Sequence, residues 1–339
     1  MLPGHCHHAV AVARAEDLVV ARLTAEQLAL TCGLAPDHKH RLDLIVAELG
    51  SNLVRHADGG GMMLFRCLAD RGGADRGGAD QGGLECICLD HGPGMADPDR
   101  ALRDGESSDR GLGLGLGTVR RLSDVFALHS MPGVGTAVLA RVCGRLPPDV
   151  PGLDVGAVMV PMTGLMDCGD GWVRTEGGVV AVIDGLGHGE PAARAARRAE
   201  SAVLAGGDDP ASVLEAIHVA LHGTRGAVAA VAVATPGRIR FAGVGNIGAF
   251  VIGPAMRTHL NSVWGVLDAN ARRAPVQEAA WSSSDVLVMH SDGIGRVAEV
   301  FAERHLRFVN PTLAAAVVLR DGAARVDDQT VLVLAQSLR

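Results

Sequence analysis

Three prolines within five residues, Pro147, Pro148 and Pro151, interrupt the chain near its middle. Proline fixes its own φ and donates no backbone hydrogen bond, so neither a helix interior nor a central strand runs through this stretch. The chain is therefore read as two domains, residues 1–145 and 153–339, joined by a linker at 146–152. So short and proline-rich a linker is semi-rigid, which is expected to keep the two close together. The length agrees, since 339 residues is about twice an ordinary domain.

Composition narrows the function. With 48% of residues hydrophobic, each half has material for a core. The net charge of −7 divides into −4 up to Val150 and −3 beyond it, so neither half is basic. Lys39 is the sole lysine, tyrosine is absent and aromatics make up 3%. A nucleic acid is excluded as the main partner, because phosphate contacts and base-stacking platforms are both lacking. The longest apolar run, Ala227 to Ala234, is far too short to span a bilayer, and the N-terminus lacks a basic-then-apolar leader pattern. No membrane partner is expected, and the cytoplasm is the expected location. Seven cysteines without a Cys-x-x-Cys pair, mostly in apolar runs, read as buried thiols of a reducing compartment. His5, Cys6, His7 and His8 lie near a chain end and offer at most an adventitious metal site.

In the first half, Glu16 to Cys32 carries Leu18, Val19, Leu23, Leu28 and Leu30 among charged and alanine positions, an amphipathic helix closed by Gly33. A second helix runs from Pro36 to about Ala57, with Leu42, Ile45, Leu49 and Leu53 at core spacing. On a neighbouring face Glu48, Asn52 and His56 recur every four residues. A carboxylate and an amide one turn apart are the minimum for orienting a nucleophile and holding a hard cation through oxygen; the same spacing also describes a solvated polar face. Met62–Leu68 and Leu84–Asp90 read as strands, separated by a tandem Arg-Gly-Gly-Ala-Asp repeat that can bury nothing. The second strand ends in Asp90-His-Gly92-Pro-Gly94, where a carboxylate at a strand end can face a ring amine while the glycine turn lets a ligand close in. Then comes a ladder, Gly111, Gly113, Gly115 and Gly117, feeding the amphipathic segment Thr118–Asp124. Backbone amides without side chains at a helix start suit a polyphosphate. Neither the P-loop nor the dinucleotide fingerprint fits, and taken alone the ladder equally describes a flexible linker. Val125–Met131 and Thr136–Val142 read as two further strands.

Glu48-Leu-Gly-Ser-Asn52 with His56-Ala57, then Asp90-x-Gly92-Pro-Gly94, the glycine ladder and Gly133-x-Gly-Thr136 stand in the order of the Bergerat-fold ATPase and histidine-kinase superfamily. The short form resembles the anti-sigma regulatory serine kinases, above all the RsbT-like switch kinases, over Ala9 to about Arg145. The resemblance implies a mixed sheet with helices on one face. It further implies ATP bound by Asp90 at the adenine amino group, by Gly92, Gly94 and Thr136 around the turn, and by Gly111, Gly113, Gly115 and Gly117 at the phosphates. Asn52 would hold Mg²⁺, and Glu48 would be the base that activates the acceptor hydroxyl. His91 departs from the arginine or asparagine common at that place.

In the second half, strands are expected at Leu153–Val160 and Val179–Ile183, helices at Glu190–Leu204 and Pro210–His222, two or three strands between Ala227 and Ile252, another at Val286–His290 and a last one to Leu334. Aspartates stand at strand ends or beside glycines: Asp170, Asp184-Gly185, Asp292-Gly293 and Asp327-Asp328. Each alone is an ordinary turn residue, but together they offer the hard oxygens that Mg²⁺ or Mn²⁺ needs. The ordered set, with Asp184-Gly-Leu-Gly-His-Gly189, resembles the SpoIIE-type branch of the metal-dependent (type 2C) serine/threonine phosphatases, closest to compact RsbX-like members, from Leu153 to Leu338. It implies an α-β-β-α sandwich, with Asp170, Asp184, the carbonyl of Gly185, Asp292 and either Asp327 or Asp328 on the metals. His188 either donates a proton or packs in its loop. The arginine and glutamate pattern of animal type 2C enzymes is missing, so phosphate must be held differently.

The two resemblances together imply a two-domain α/β enzyme that writes and erases phosphate on a serine or threonine of a STAS-domain antagonist or scaffold protein. The alternative is a binding module that sequesters a sigma factor or antagonist, with the phosphatase acting on a different protein.

Overall fold

The computed structural model describes residues 6–68, 82–103, 115–144, 152–268 and 273–337. The Arg71–Asp80 repeat, Gly111, Gly113 and residues 146–151 of the linker lie outside them. The chain divides into two compact units, Met1–Pro148 and Asp149–Arg339.

In the first unit, β1 (His8–Val12) leads into α1 (Ala15–Thr31) and α2 (Pro36–His56). There follow β2 (Gly61–Leu68), β3 (Gly83–Asp90), the short α3 (Pro98–Ala101), α4 (Gly115–Leu122), β4 (Val125–Met131) and β5 (Gly135–Cys143). The sheet order is β1-β2-β3-β5-β4, and every pairing is antiparallel. This corrects the expected mixed sheet. One helix between β1 and β2 would return the chain for a parallel pair, whereas the α1–α2 hairpin delivers it to the opposite end. Strands β3 and β4 do run the same way, through α4, but β5 is inserted between them and opposes both.

The helices cover one face, as expected. Alternate strand residues, among them Met63, Phe65, Cys86, Cys88, Val138 and Ala140, meet Leu42, Ile45, Leu49 and Leu53 of α2. Helix α1 turns inward a face of Ala21, Ala25 and Ala29 flanked by the partly buried Leu18 and Leu28, while Val19, Leu23 and Leu30 are exposed. A stripe of methyl groups lets two helix backbones approach closely, and the larger side chains do not fit that seam. On the sheet's opposite face Glu85 is fully buried, ion-paired to Arg66 at 2.7 Å and Arg141 at 2.6 Å and hydrogen-bonded to His7 at 2.9 Å. Burial alone would raise the Glu85 carboxyl, but the two guanidinium groups overcome it and hold the group below the usual carboxylate range. His7 therefore belongs to the interior rather than to a free end.

Contrary to expectation, not every cysteine is a free thiol. Cys32, just past α1, and Cys67, near the end of β2, form a disulfide across 35 residues. Folding of the helical hairpin onto the sheet places their Cα atoms 5.8 Å apart, a distance a disulfide spans and sequence spacing does not reveal. Cys86, Cys88, Cys143 and Cys168 are buried thiols, and Cys6 is partly exposed.

The second unit contains β6 (Leu153–Val160), β7 (Asp170–Arg174), β8 (Val179–Gly185), α5 (Glu190–Ala205), α6 (Pro210–Ala220), β9 (Ala227–Thr235), β10 (Arg238–Val244) and β11 (Gly248–Ile252). It continues with β12 (Arg257–His259), β13 (Gln277–Ala280), β14 (Val286–His290), α7 (Val297–Glu303), α8 (Pro311–Gly322) and β15 (Gln329–Gln336). Two antiparallel sheets, β13-β10-β9-β8-β7 and β12-β11-β14-β15-β6, lie face to face. Val180, Val182, Ala230 and Phe241 of the first sheet meet Ala157, Ala249, Leu287, Met289 and Leu332 of the second. The first sheet's other face, with Ala181, Ile183, Ala229 and Val231, packs under α5 and α6. Helix α8 lies on β6 and β15. The layer order is the expected α-β-β-α sandwich. Strands covered on both faces explain unbroken apolar runs such as Ala227–Ala234. Among the described residues, no helix is long and apolar enough to cross a membrane.

Candidate nucleotide site and acidic centre

One end of the first sheet gathers the residues singled out by sequence. Leu49 and Leu53 anchor α2 in the core, which leaves Glu48 and Asn52, one turn apart, half-buried on the adjoining face. The turn after β3 rests on the end of this helix: a Cβ at Gly92 would stand 2.9 Å from the His56 carbonyl oxygen. Asp90 braces that turn, its Oδ1 accepting from the Gly92 N–H at 2.7 Å and the Thr136 N–H at 3.1 Å. The Thr136 hydroxyl lies 2.9 Å from that of Ser130, which accepts from the Met95 N–H. At Gly94, φ is +66° and a Cβ would come within 1.9 Å of the Met131 carbonyl oxygen, so only glycine lets the two turns meet. Helix α4 packs on α2, and Gly115 and Gly117 lie in its first turn. The structure thus brings Asn52, Asp90, Gly92, Gly94, Thr136 and the start of α4 to one end of the sheet, with Glu48 one turn further along α2. A carboxylate, an amide and the first-turn amides of α4 around glycine-lined backbone are groups that suit a purine amine, a cation and an anion.

The second unit collects its aspartates at one end of the sandwich. Asp170 opens β7 and lies directly across the ladder from Asp184, near the end of β8. Gly185 fits only as glycine, since a Cβ would press to 2.4 Å from the Ala192 carbonyl oxygen at the start of α5. Asp292 follows β14, and its Oδ2 accepts from Asn246 Nδ2 at 3.0 Å and from Arg325 at 2.7 Å. Asp327 and Asp328 differ in burial and bonding. Asp328 is 3% exposed and spends both oxygens on backbone amides, Oδ1 on Met162 at 2.8 Å and Oδ2 on Gly169 at 2.9 Å. Asp327 is only partly buried and accepts from the Asp328 N–H.

The charges crowd one another. Burial, and then the Asp184 charge, push the Asp170 carboxyl well above the usual carboxylate range. Burial, then Asp292, Asp327 and Asp328, push Asp184 up to about 7. Asp170 Oδ2 is buried without a hydrogen-bond partner. Among the described residues, however, no group of three or more His, Cys, Asp or Glu side chains is drawn closely enough together to hold a metal ion as it stands. The expected cage of Asp170, Asp184, Gly185, Asp292 and Asp327 is therefore a loose acidic cluster, because Arg325 and Asn246 hold Asp292 and backbone amides hold Asp328. All-oxygen donors, mutual repulsion and an orphaned carboxylate oxygen nevertheless fit a divalent cation.

His188 is exposed in the loop before α5. Sequence reasoning missed three neighbours of the centre. Asn246 and Arg325 are fixed there by the bonds just described, and Arg225 reaches over the Asp184 loop, its guanidinium 3.0 Å from where a Gly187 Cβ would be. No spacing rule connects these residues to the aspartates, because the loops that carry them meet only in the fold.

Residues 11–142 match the histidine kinase-like ATPase domain family. Serine/threonine-protein kinase RsbT of Bacillus subtilis (strain 168) is 36% identical over 124 residues, covering 37% of this chain and 86% of RsbT. The chain belongs to the RsbT family of serine/threonine-protein kinases. Three solved structures are also similar to it. A chain from work on the bacterial stressosome, described as a modular system adapted to control secondary messenger signalling, is 29% identical and aligns over 54% of this chain and 98% of its own, with a TM-score of 0.48. RsbX in complex with magnesium is 19% identical over 55% of this chain and 96% of its own, with a TM-score of 0.48. The Mycobacterium tuberculosis serine/threonine phosphatase PstP is 15% identical over 55% of this chain and 99% of its own, with a TM-score of 0.46.

Proposed function

We propose that the chain is a bifunctional partner-switching regulator, a kinase at residues 1–145 and a metal-dependent phosphatase at 153–339, acting on a serine or threonine of a STAS-domain antagonist or scaffold protein. The observation that carries this reading is the coexistence, in one RsbT-family chain, of the Asn52–Asp90–Thr136 end of the first sheet and the crowded aspartates of the second unit. In the kinase half, Asp90 accepts from the adenine amino group of ATP, Asn52 offers its amide oxygen to the Mg²⁺ that accompanies the nucleotide, and the amides of Gly115 and Gly117 face the phosphates. Glu48 takes the proton from the acceptor hydroxyl as it attacks the γ-phosphorus. In the phosphatase half, Asp170, Asp184, Asp292, Asp327 and the Gly185 carbonyl would hold Mn²⁺ or Mg²⁺. Such ions lower the pKa of bound water and polarise the phosphoryl oxygens. Arg225, above the glycine loop, receives a phosphoryl oxygen in the place of the arginine that animal type 2C enzymes carry elsewhere.

Labelled ATP, Mn²⁺ and STAS proteins, incubated with wild type, Asn52→Ala and Asp184→Ala, test this reading. Label on a serine or threonine is expected to accumulate with Asp184→Ala and to vanish with Asn52→Ala. If ATP binds and no STAS protein is ever labelled, the kinase role falls. The exposed Val19, Val20, Leu23 and Leu30 of α1 favour a second reading, in which the first unit sequesters a sigma factor or antagonist and its nucleotide is structural. Unchanged partner capture and unchanged function in Asn52→Ala would favour that module.

A further inference from the structure

Four exposed apolar side chains stand on the loops that carry the acidic centre or are hydrogen-bonded to them. Trp264 is 89% exposed, Val326 81%, Met166 77% and Leu186 38%. Each is tied to the centre through its own loop. Val326 precedes Asp327, Leu186 follows Gly185, and Met166 lies in the loop that Asp328 holds at Met162 and Gly169.

Trp264 stands on the best-fixed of these loops. On one side the Gly245 N–H donates to the Val263 carbonyl at 2.8 Å, and the next residue, Asn246, is bonded to Asp292. On the other side the Leu267 N–H donates to the Ala227 carbonyl at 2.9 Å, and the Leu186 N–H to the Gly226 carbonyl at 3.1 Å. The segment carrying Trp264 is therefore pinned between the Asp292 branch and the Asp184 branch. Summing backbone steps and hydrogen bonds along the first branch puts the indole within about 20 Å of Asp292, the span of roughly six residues of extended peptide.

An indole left in water on a rigid backbone has little ordering entropy left to lose on binding, and tryptophan is the residue most enriched at binding hot spots. A small phosphorylated metabolite has no use for an apolar rim; a protein substrate with apolar side chains beside its phosphorylated residue does. Resting on the phosphatase reading above, we infer that Trp264, with Leu186 and Val326, is the substrate-recognition surface of the acidic centre, and that it takes a phosphoprotein segment with exposed aliphatic residues flanking the phosphoserine or phosphothreonine.

The test uses the full chain with Mn²⁺ and three probes: p-nitrophenyl phosphate and two synthetic phosphoserine peptides of about a dozen residues, one with leucines and one with serines around the phosphoserine. Wild type is expected to favour the leucine peptide in kcat/KM by roughly tenfold, as one well-packed aromatic contact does, and Trp264→Ala to lose that preference while hydrolysing p-nitrophenyl phosphate normally. Trp264→Phe is expected to retain most of the preference. Fluorescence gives a readout apart from turnover. Trp281 is buried and Trp172 half-buried, so binding of the leucine peptide to Asp184→Asn should blue-shift the Trp264 emission, and no shift should occur once Trp264 is also replaced. The inference is overturned if wild type does not distinguish the peptides, if preference and spectral shift survive Trp264→Ala, or if Trp264→Ala instead abolishes a concentration-dependent self-association. Absence of p-nitrophenyl phosphate hydrolysis would sink the phosphatase reading itself, and the fluorescence titration would then still decide whether Trp264 captures the peptide.

Discussion

At the residue scale, two adjacent aspartates with the same chemistry sit in different surroundings. Sequence left Asp327 and Asp328 interchangeable, because the bonds that separate them run from Asp328 to amides 166 and 159 residues away. Asp328→Ala strips a charged acceptor from two amides at a buried position and is expected to cost about 3 kcal/mol of stability. Asp327→Ala is expected to leave stability unchanged and to weaken Mn²⁺ activation by roughly tenfold or more, the scale of losing one charged ligand. Urea melts and Mn²⁺ titrations of the two variants should give opposite patterns. The crowding at Asp184 has a pH consequence with a definite sign. Its carboxyl titrates at about 7 in the folded, metal-free chain and in the ordinary carboxylate range when unfolded, so between those limits the folded state holds the extra proton. Stability in EDTA should therefore fall as pH rises from about 5 to about 7, and Mn²⁺, which favours the ionised carboxylate, should remove that slope. A urea midpoint in EDTA that rises over this interval would contradict the raised pKa.

At the element scale, the strongest patterns were legible and the quieter ones were not. Helix α2 follows its 3.6-residue leucine pattern, and β2, β3, β4 and β5 follow their apolar runs. Helix α1 forms as expected and packs Leu18 and Leu28, but Val19, Leu23 and Leu30 face outward because alanines line the centre of the buried face. Ala25→Leu should thus cost about 2 kcal/mol by overpacking the α1–α2 seam, and Leu23→Ser should be close to neutral; chemical denaturation measures both. Helix α8 went unread although its start is signalled: Asn310, just before Pro311, accepts from the Thr312 and Leu313 N–H groups. The buried Glu85 cluster was invisible for a different reason, since its partners sit on β2, β5 and the segment before β1 and converge only when the sheet forms. Glu85→Gln leaves Arg66 and Arg141 facing each other without their carboxylate and should destabilise the first unit by about 3–5 kcal/mol. Because the Glu85 carboxyl is held below its ordinary range, the stability it contributes is present at neutral pH and is lost as pH falls below that range.

For the whole molecule, composition and the proline cluster pointed to two domains, and the described residues form one core in the first unit and two layers in the second. What composition could not supply was a covalent link. The Cys32–Cys67 disulfide encloses Gly33 to Arg66, and with them all of α2, including Glu48 and Asn52. The helix that carries the candidate kinase residues is thus part of a closed ring. Limited proteolysis that cuts once between Gly33 and Arg66 should yield a molecule of unchanged mass apart from one added water, separable into two fragments only by reductant. A cut outside the ring should release fragments at once, so the mass spectrum of a nicked sample tells on which side of the ring the protease entered.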